Sequence, residues 1–235
     1  NKKFYKSMGL SFESKSINKL NYEKNKQIIT FFCTTDHEYA SLPIQKKEKS
    51  FFINSKWKNQ IEAIKSLINV LRNDKNQFLL IKAHPNFSKK SLIEQELKKL
   101  ESLNVKYLSN SEEVDSINLL KKSDIIVTYG SSLELTAKYL DKKVIPMFKH
   151  LYSPLGIFTY PKNEKSLKKM IYNKQVDKKN SKNKLFKVAY FFMTFGIKYK
   201  FFKPNGFFRG SLIDKKINHF GPIINILLKL KILRY

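Results

Sequence analysis

The chain has 235 residues, 42% of them hydrophobic, which is enough to bury a substantial core and too apolar for a wholly disordered segment. A single cysteine, Cys33, excludes an internal disulfide framework and fits a reducing cytoplasm; its place inside an apolar run marks it as core. The formal charge is +27, and residues 162–235 hold 19 Lys and Arg against three acids, so the excess is local and points to contact with an anionic surface.

The first 26 residues are basic and lack the apolar stretch of a signal peptide, and an opening on Asn1 is compatible with a start inside a longer protein. From there the sequence alternates. Residues 27–34 (QIITFFCT) read as a buried strand, and 57–73 as an amphipathic helix with Trp57, Ile61, Ile64, Leu67, Ile68 and Leu71 at steps of three and four. A strand follows at 77–83, a helix at 90–103 burying Leu92, Ile93, Leu97 and Leu100, and a short strand at 104–108. The next helix is expected to open on Ser111 as N-cap, with two acids in its first turn. A strand at 124–130, a helix at 131–140 and a strand at 142–147 complete the series, and the lysine-rich stretch 173–184 reads as a linker.

Strands separated by helices predict an α/β fold, a Rossmann-like parallel sheet flanked by helices. The expected domains are a basic segment at 1–26, the Rossmann-like domain at 27–172 and a basic, aromatic extension at 173–235. Ligands of such sheets bind outside the carboxyl ends of the strands, so the residues that end each strand carry the functional information.

The first strand ends in Thr34-Thr35-Asp36-His37-Glu38. Asp36 or Glu38 has the chemistry of a general base or of a sugar-hydroxyl acceptor; the alternative is a solvated loop. The second ends in Lys82-Ala83-His84-Pro85. An imidazole can donate to a phosphate oxygen, Lys82 adds charge if it turns inward, and Pro85 ends the ladder; the alternative is a plain His-Pro turn. The fourth ends in Gly130-Ser131-Ser132 before a helix, where glycine permits a tight turn and the hydroxyls and amides suit a phosphate; the alternative is an ordinary serine N-cap. Glu134 could complete a capping box or accept from a ribose or sugar. Neither a Walker motif nor a full dinucleotide fingerprint is present, and the four histidines, at 37, 84, 150 and 219, have no metal-ligand spacing.

The order FFCTTDHE, WKNQIEAI, IKAHPN and SDIIVTYGSSLELTAKYLDKKVIPM resembles the nucleotide-binding half of GT-B glycosyltransferases, most of all those of bacterial capsule and surface polysaccharide biosynthesis. The resemblance covers residues 27–150. It implies a metal-independent enzyme that uses a nucleotide-sugar as substrate and needs no cofactor. Lys82, His84, Gly130, Ser131 and Ser132 would meet the donor phosphates. Thr35 and Glu134 would lie near the nucleotide or sugar, and Asp36 and Glu38 would face the cleft as catalytic candidates. The chain departs from the pattern at Leu135, where the family has alanine, at Asp141 for glycine and at Lys143 for proline. A UDP-sugar 2-epimerase-like enzyme, a teichoic-acid-type glycerophosphotransferase and a non-catalytic binding module are the alternatives.

Residues 185–208 hold ten Phe and Tyr interleaved with lysines, and 222–235 is a second apolar, basic run. Both are shorter than the roughly 20 residues a bilayer span takes. They predict an in-plane contact with an anionic membrane, hence a cytoplasmic protein peripheral on the inner face of the plasma membrane, acting on a lipid-linked or polysaccharide acceptor. A tail packed back on the core is the alternative. Nucleic acid is the least favoured partner, because only three arginines and no nucleic-acid-binding motif are present.

Overall fold

The computed structural model describes residues 25–35, 56–85, 87, 92–109, 112, 114–150, 152–173, 181–194, 202–204, 209–212 and 215–218. The chain divides into two compact units, Ser14–Phe192 and a second that joins Asn1–Glu13 to Met193–Tyr235.

In the larger unit five strands alternate with helices: β1 (Gln27–Phe32), α1 (Gln60–Leu71), β2 (Gln77–Lys82), α2 (Leu92–Lys98), β3 (Val105–Leu108), α3 (Ser116–Lys122), β4 (Ile125–Thr128), α4 (Leu133–Tyr139) and β5 (Lys143–Pro146). All pairings are parallel, in the order β3-β2-β1-β4-β5. The strands are apolar runs without alternation because both faces are covered. Ile29, Phe31, Leu79, Ile81, Ile125 and Val127 pack on one face against Ala63, Ile64 and Leu67 of α1 and Leu97 of α2. Ile28, Phe32, Leu80, Leu108 and Ile126 pack on the other against Leu119 and Leu120 of α3 and Ala137 of α4. The α/β expectation therefore holds, with a sheet order that runs outward from β1 in both directions, as in Rossmann-like folds.

Two helices follow. α5 (Glu164–Tyr172), capped by a reciprocal Asn163–Ser166 box, buries Leu167 and Ile171 on the α1 face. α6 (Ser181–Thr194) starts inside the stretch read as a linker, and its Leu185 and Val188 pack on Tyr152 and Ile157. The expected Ser111 N-cap is corrected. The N-cap lies four residues later, where the Asp115 carboxylate accepts the N–H groups of Ile117 (2.7 Å) and Asn118 (3.2 Å). An aspartate that reaches two orphan donors defines the start. Glu112 instead accepts from the Ser109 N–H at 2.9 Å.

The smaller unit holds β6 (Phe202–Pro204), β7 (Arg209–Leu212) and β8 (Lys215–Asn218), an antiparallel sheet in sequence order. Within the 185–208 segment expected as an in-plane helix, the helix runs to Thr194 and Phe202–Pro204 is a strand; residues 195–201 and 205–208 lie outside the described residues. Residues 222–235 lie outside the described residues.

Positions 141 and 143, where the sequence departs from the pattern it resembles, have physical readings. Asp141 sits at φ 55°, in the left-handed region that glycine would fill, and aspartate is among the few residues that tolerate it. Lys143 donates from Nζ to the carbonyls of Ile171 and Asn173, each at 2.6 Å, and so caps the C-terminal end of α5.

Candidate functional site

A parallel sheet delivers the carboxyl ends of all its strands to one edge. Phe32 pairs in register with Lys82 on one side and Thr128 on the other, so these three residues stand at one level. With strands about 4.8 Å apart, Lys82 and Thr128 are roughly 10 Å apart across β1. Beyond them the chain leaves the sheet at Thr34-Thr35, at His84 and at Gly130-Ser131-Ser132. The connection after β1 leads to a helix on one face and that after β4 to a helix on the other. This divergence is where ligands of open α/β sheets bind.

The end of β1 is clamped. The Thr34 N–H donates to Gln60 Oε1 at 3.2 Å, and Gln60 Nε2 donates to the Thr34 carbonyl at 2.8 Å, so the first residue of α1 holds the strand end from inside the core. Thr35 is half-buried at the edge. Asp36 and Glu38 lie outside the described residues.

At the end of β2, His84 is half-buried and its carbonyl accepts from the Phe87 N–H at 3.0 Å, closing a turn through the exposed Pro85. Lys82 turns inward. Only 4% exposed, its Nζ donates to the Ser109 carbonyl at 3.4 Å, and burial lowers its pKa against the opposing pull of Glu112. Its charge reaches the edge from below rather than by projecting into it.

At the end of β4 the chain turns at Gly130, φ 75°. Entry to the turn is fixed by Tyr129, whose hydroxyl donates to the Trp57 carbonyl at 2.8 Å and whose ring lies 5.0 Å from Phe148. Ser131 Oγ accepts the Leu133 N–H at 3.3 Å, while Ser132 occupies the N-cap, exposed, with no side-chain capping bond. The amides of Leu133, Glu134 and Leu135 are thereby all used within the turn. What the turn offers outward is the Ser132 hydroxyl.

Glu134 is fully buried and does not project to the edge. Thr128 Oγ1 donates to one carboxyl oxygen at 2.7 Å and the Tyr152 hydroxyl to the other at 2.5 Å. Burial raises its pKa to about 7, against the lowering effect of these two donors. Burial and the adjacent carboxylate push the Tyr152 hydroxyl far above the ordinary phenol value. The Tyr152 ring stacks on His150 (4.3 Å, 10°), and the backbone there is tied by the His150 N–H donating to Ser153 Oγ at 2.7 Å. The loop after β5 is thus bound to the first turn of α4, and a carboxyl about half protonated near pH 7 opposes an anion above it less than an ordinary carboxylate would.

The structure therefore brings Thr35, His84, Gly130, Ser131 and Ser132 to one edge, and withdraws Lys82 and Glu134 beneath it. No role is expected of Gln60 or Tyr152 from the sequence, and His150 enters only as one of four histidines without metal-ligand spacing. Two cavities, about 550 and 640 Å³, lie elsewhere, at the amino edge of the sheet and between α1 and α5. Several of their polar groups are engaged in structural bonds: Asp124 takes the Ile28 N–H, Asp74 the Asn76 N–H and the Tyr172 hydroxyl, and Lys143 caps α5. We give them no role in the site. No group of His, Cys, Asp and Glu that could hold a metal occurs among the described residues.

No protein-family model matches the sequence, and no curated protein matches it significantly. Among solved structures the backbone is similar to that of KpsC from Thermosulfurimonas dismutans, a beta Kdo 2,4 transferase (16% identity, TM-score 0.44, covering 65% of this chain and 43% of that one). It is similar also to the wall teichoic acid polymerase TagF (18%, 0.44, 76% and 41%) and to S. aureus MnaA solved with UDP (13%, 0.41, 74% and 41%). The chain spans less than half the length of each.

Proposed function

We propose that this chain is the donor-binding part of a GT-B-type glycosyltransferase that moves a sugar from a nucleotide-sugar to a growing or lipid-linked bacterial surface polysaccharide, at the inner face of the plasma membrane. One observation carries the reading: the Gly130-Ser131-Ser132 turn, with its outward hydroxyl, stands beside the β1 end and across it from His84, where the connections after β1 and β4 diverge. That edge offers hydroxyl and imidazole donors to a diphosphate or monophosphate, with the Lys82 charge beneath and a partly protonated Glu134 behind. Thr35 stands at the same edge for the nucleoside or sugar, and Glu134 acts on the donor through the turn it holds. Donors of this kind stabilise the charge that develops on a leaving nucleotide without a metal. Asp36 and Glu38 are the residues assigned to the cleft, as base or sugar-hydroxyl acceptor.

A thermal-shift panel of CMP, UDP, GDP and CDP tests this reading. A nucleotide at one hundred times its Kd adds about 2.7 kcal/mol of stability. One nucleotide is expected to raise Tm, and Ser132→Ala and His84→Ala each to weaken its binding about tenfold. Absence of a shift with every nucleotide rejects the reading. Sugar transfer by the intact protein, lost in Asp36→Ala or Glu38→Ala with nucleotide binding kept, separates an enzyme from a binding module.

A further inference from the structure

We infer that the outward face of α6 is the element that docks this protein on an anionic bilayer. Leu185 and Val188 bury one side of the helix against Tyr152 and Ile157, and Lys184 Nζ donates to the Gly156 carbonyl at 2.9 Å. The helix is therefore latched to the loop behind the candidate site. Its other side presents Phe186, Tyr190 and Phe191, exposed to 59%, 70% and 51%. At about 100° per residue these rings share an arc of roughly 140°, with Lys187 between Tyr190 and Phe191.

Three features choose the occupant. Residues 174–194, which lead into and through the helix, hold six lysines against one acid, so this stretch of chain is of one sign. Pairing this face with a second copy would set Lys187 against Lys187, which disfavours self-association. The helix is 14 residues, about 21 Å, and no described helix is long and apolar enough to cross a membrane. Rings that settle at the headgroup boundary, with lysines among anionic headgroups, fit a helix lying in the plane. The inference deepens the membrane location in the proposed function and rests on it for biological sense, but nucleotide binding is read separately.

The test is co-sedimentation of the full chain with phosphatidylcholine vesicles and with vesicles containing 30% phosphatidylglycerol. The wild type is expected to partition at least tenfold better to the anionic vesicles, and Phe186→Ser/Tyr190→Ser/Phe191→Ser to lose at least tenfold of that, with its nucleotide-induced Tm shift intact. Tyr190→Trp supplies a second readout that needs no loss of function: quenching of the added indole by brominated acyl chains. Undiminished binding by the triple variant, no preference for anionic lipid, an unquenched indole, or a helix face whose variant changes only the oligomeric state each overturns the inference. A nucleotide shift lost with membrane binding preserved counts against the donor site and leaves the docking face standing.

Discussion

Tyr152 donates its hydroxyl hydrogen to Glu134 across 2.5 Å, joining the loop after β5 to the first turn of α4. The acid so held is enclosed, and Thr128 occupies its other oxygen.

Stability should carry the signature of this acid. In the folded chain Glu134 keeps its proton to about pH 7, whereas the unfolded chain releases it near 4.5. The folded state thus binds more protons between these values, so unfolding free energy falls as pH rises from about 4.5 to about 7 and levels off above. The full effect is on the order of 3 kcal/mol. Glu134→Gln should abolish this component. Urea midpoints of both proteins from pH 4.5 to 8 measure it as the difference between the two curves.

Tyr152→Phe removes one donor and leaves a buried carboxyl oxygen unmatched, at a cost of about 1–3 kcal/mol. The lost bond had favoured the ionised acid, so the pH at which the stability curve levels should move upward. A midpoint within 0.3 kcal/mol of wild type at pH 5 and pH 8 would show the bond to be idle.

The two serines of the turn should behave differently. Ser132 makes no capping bond, and Ser132→Ala should leave stability within about 0.5 kcal/mol while weakening nucleotide binding about tenfold. The Ser131 hydroxyl accepts from Leu133, and Ser131→Ala should cost up to about 1 kcal/mol of stability. Chemical denaturation and nucleotide titration of both variants separate the effects.

How much of this the sequence carries can be followed residue by residue. The strands were readable because burial on both faces makes each a plain apolar run, and the parallel alternation put their ends on one edge. α5 escaped notice because Leu167 and Ile171 stand among four charged residues in a nine-residue helix. The start of α6 was hidden in a lysine-rich stretch whose helical state depends on Leu185 and Val188 finding Tyr152 and Ile157. β6–β8 are too short for a periodicity to develop. Ser111 fits an N-cap as well as Asp115 does until the backbone shows whose side chain reaches the free amides. Gln60 and Tyr152 leave no local signal, since their partners lie 26 and 18 residues away.

Lys143 offers a test of what holds the end of α5. Lys143→Met should remove both cap bonds at the end of α5 and cost about 1–2 kcal/mol, with faster amide exchange confined to the last turn of α5. At the neighbouring turn, Asp141→Val places a β-branched residue at positive φ and should be less stable than Asp141→Gly by about 2 kcal/mol. Equal stability of the pair would contradict the backbone geometry.

The bond between Glu134 and Tyr152 also makes two positions answerable to each other over evolutionary time. A lineage that replaces the tyrosine strands an acid in the interior and comes under pressure to replace it too; one that first turns the acid into an amide or an aliphatic is released to vary the tyrosine. Descendants should therefore carry both or neither, and a mixed pairing would mark a chain whose β5 loop has found another anchor.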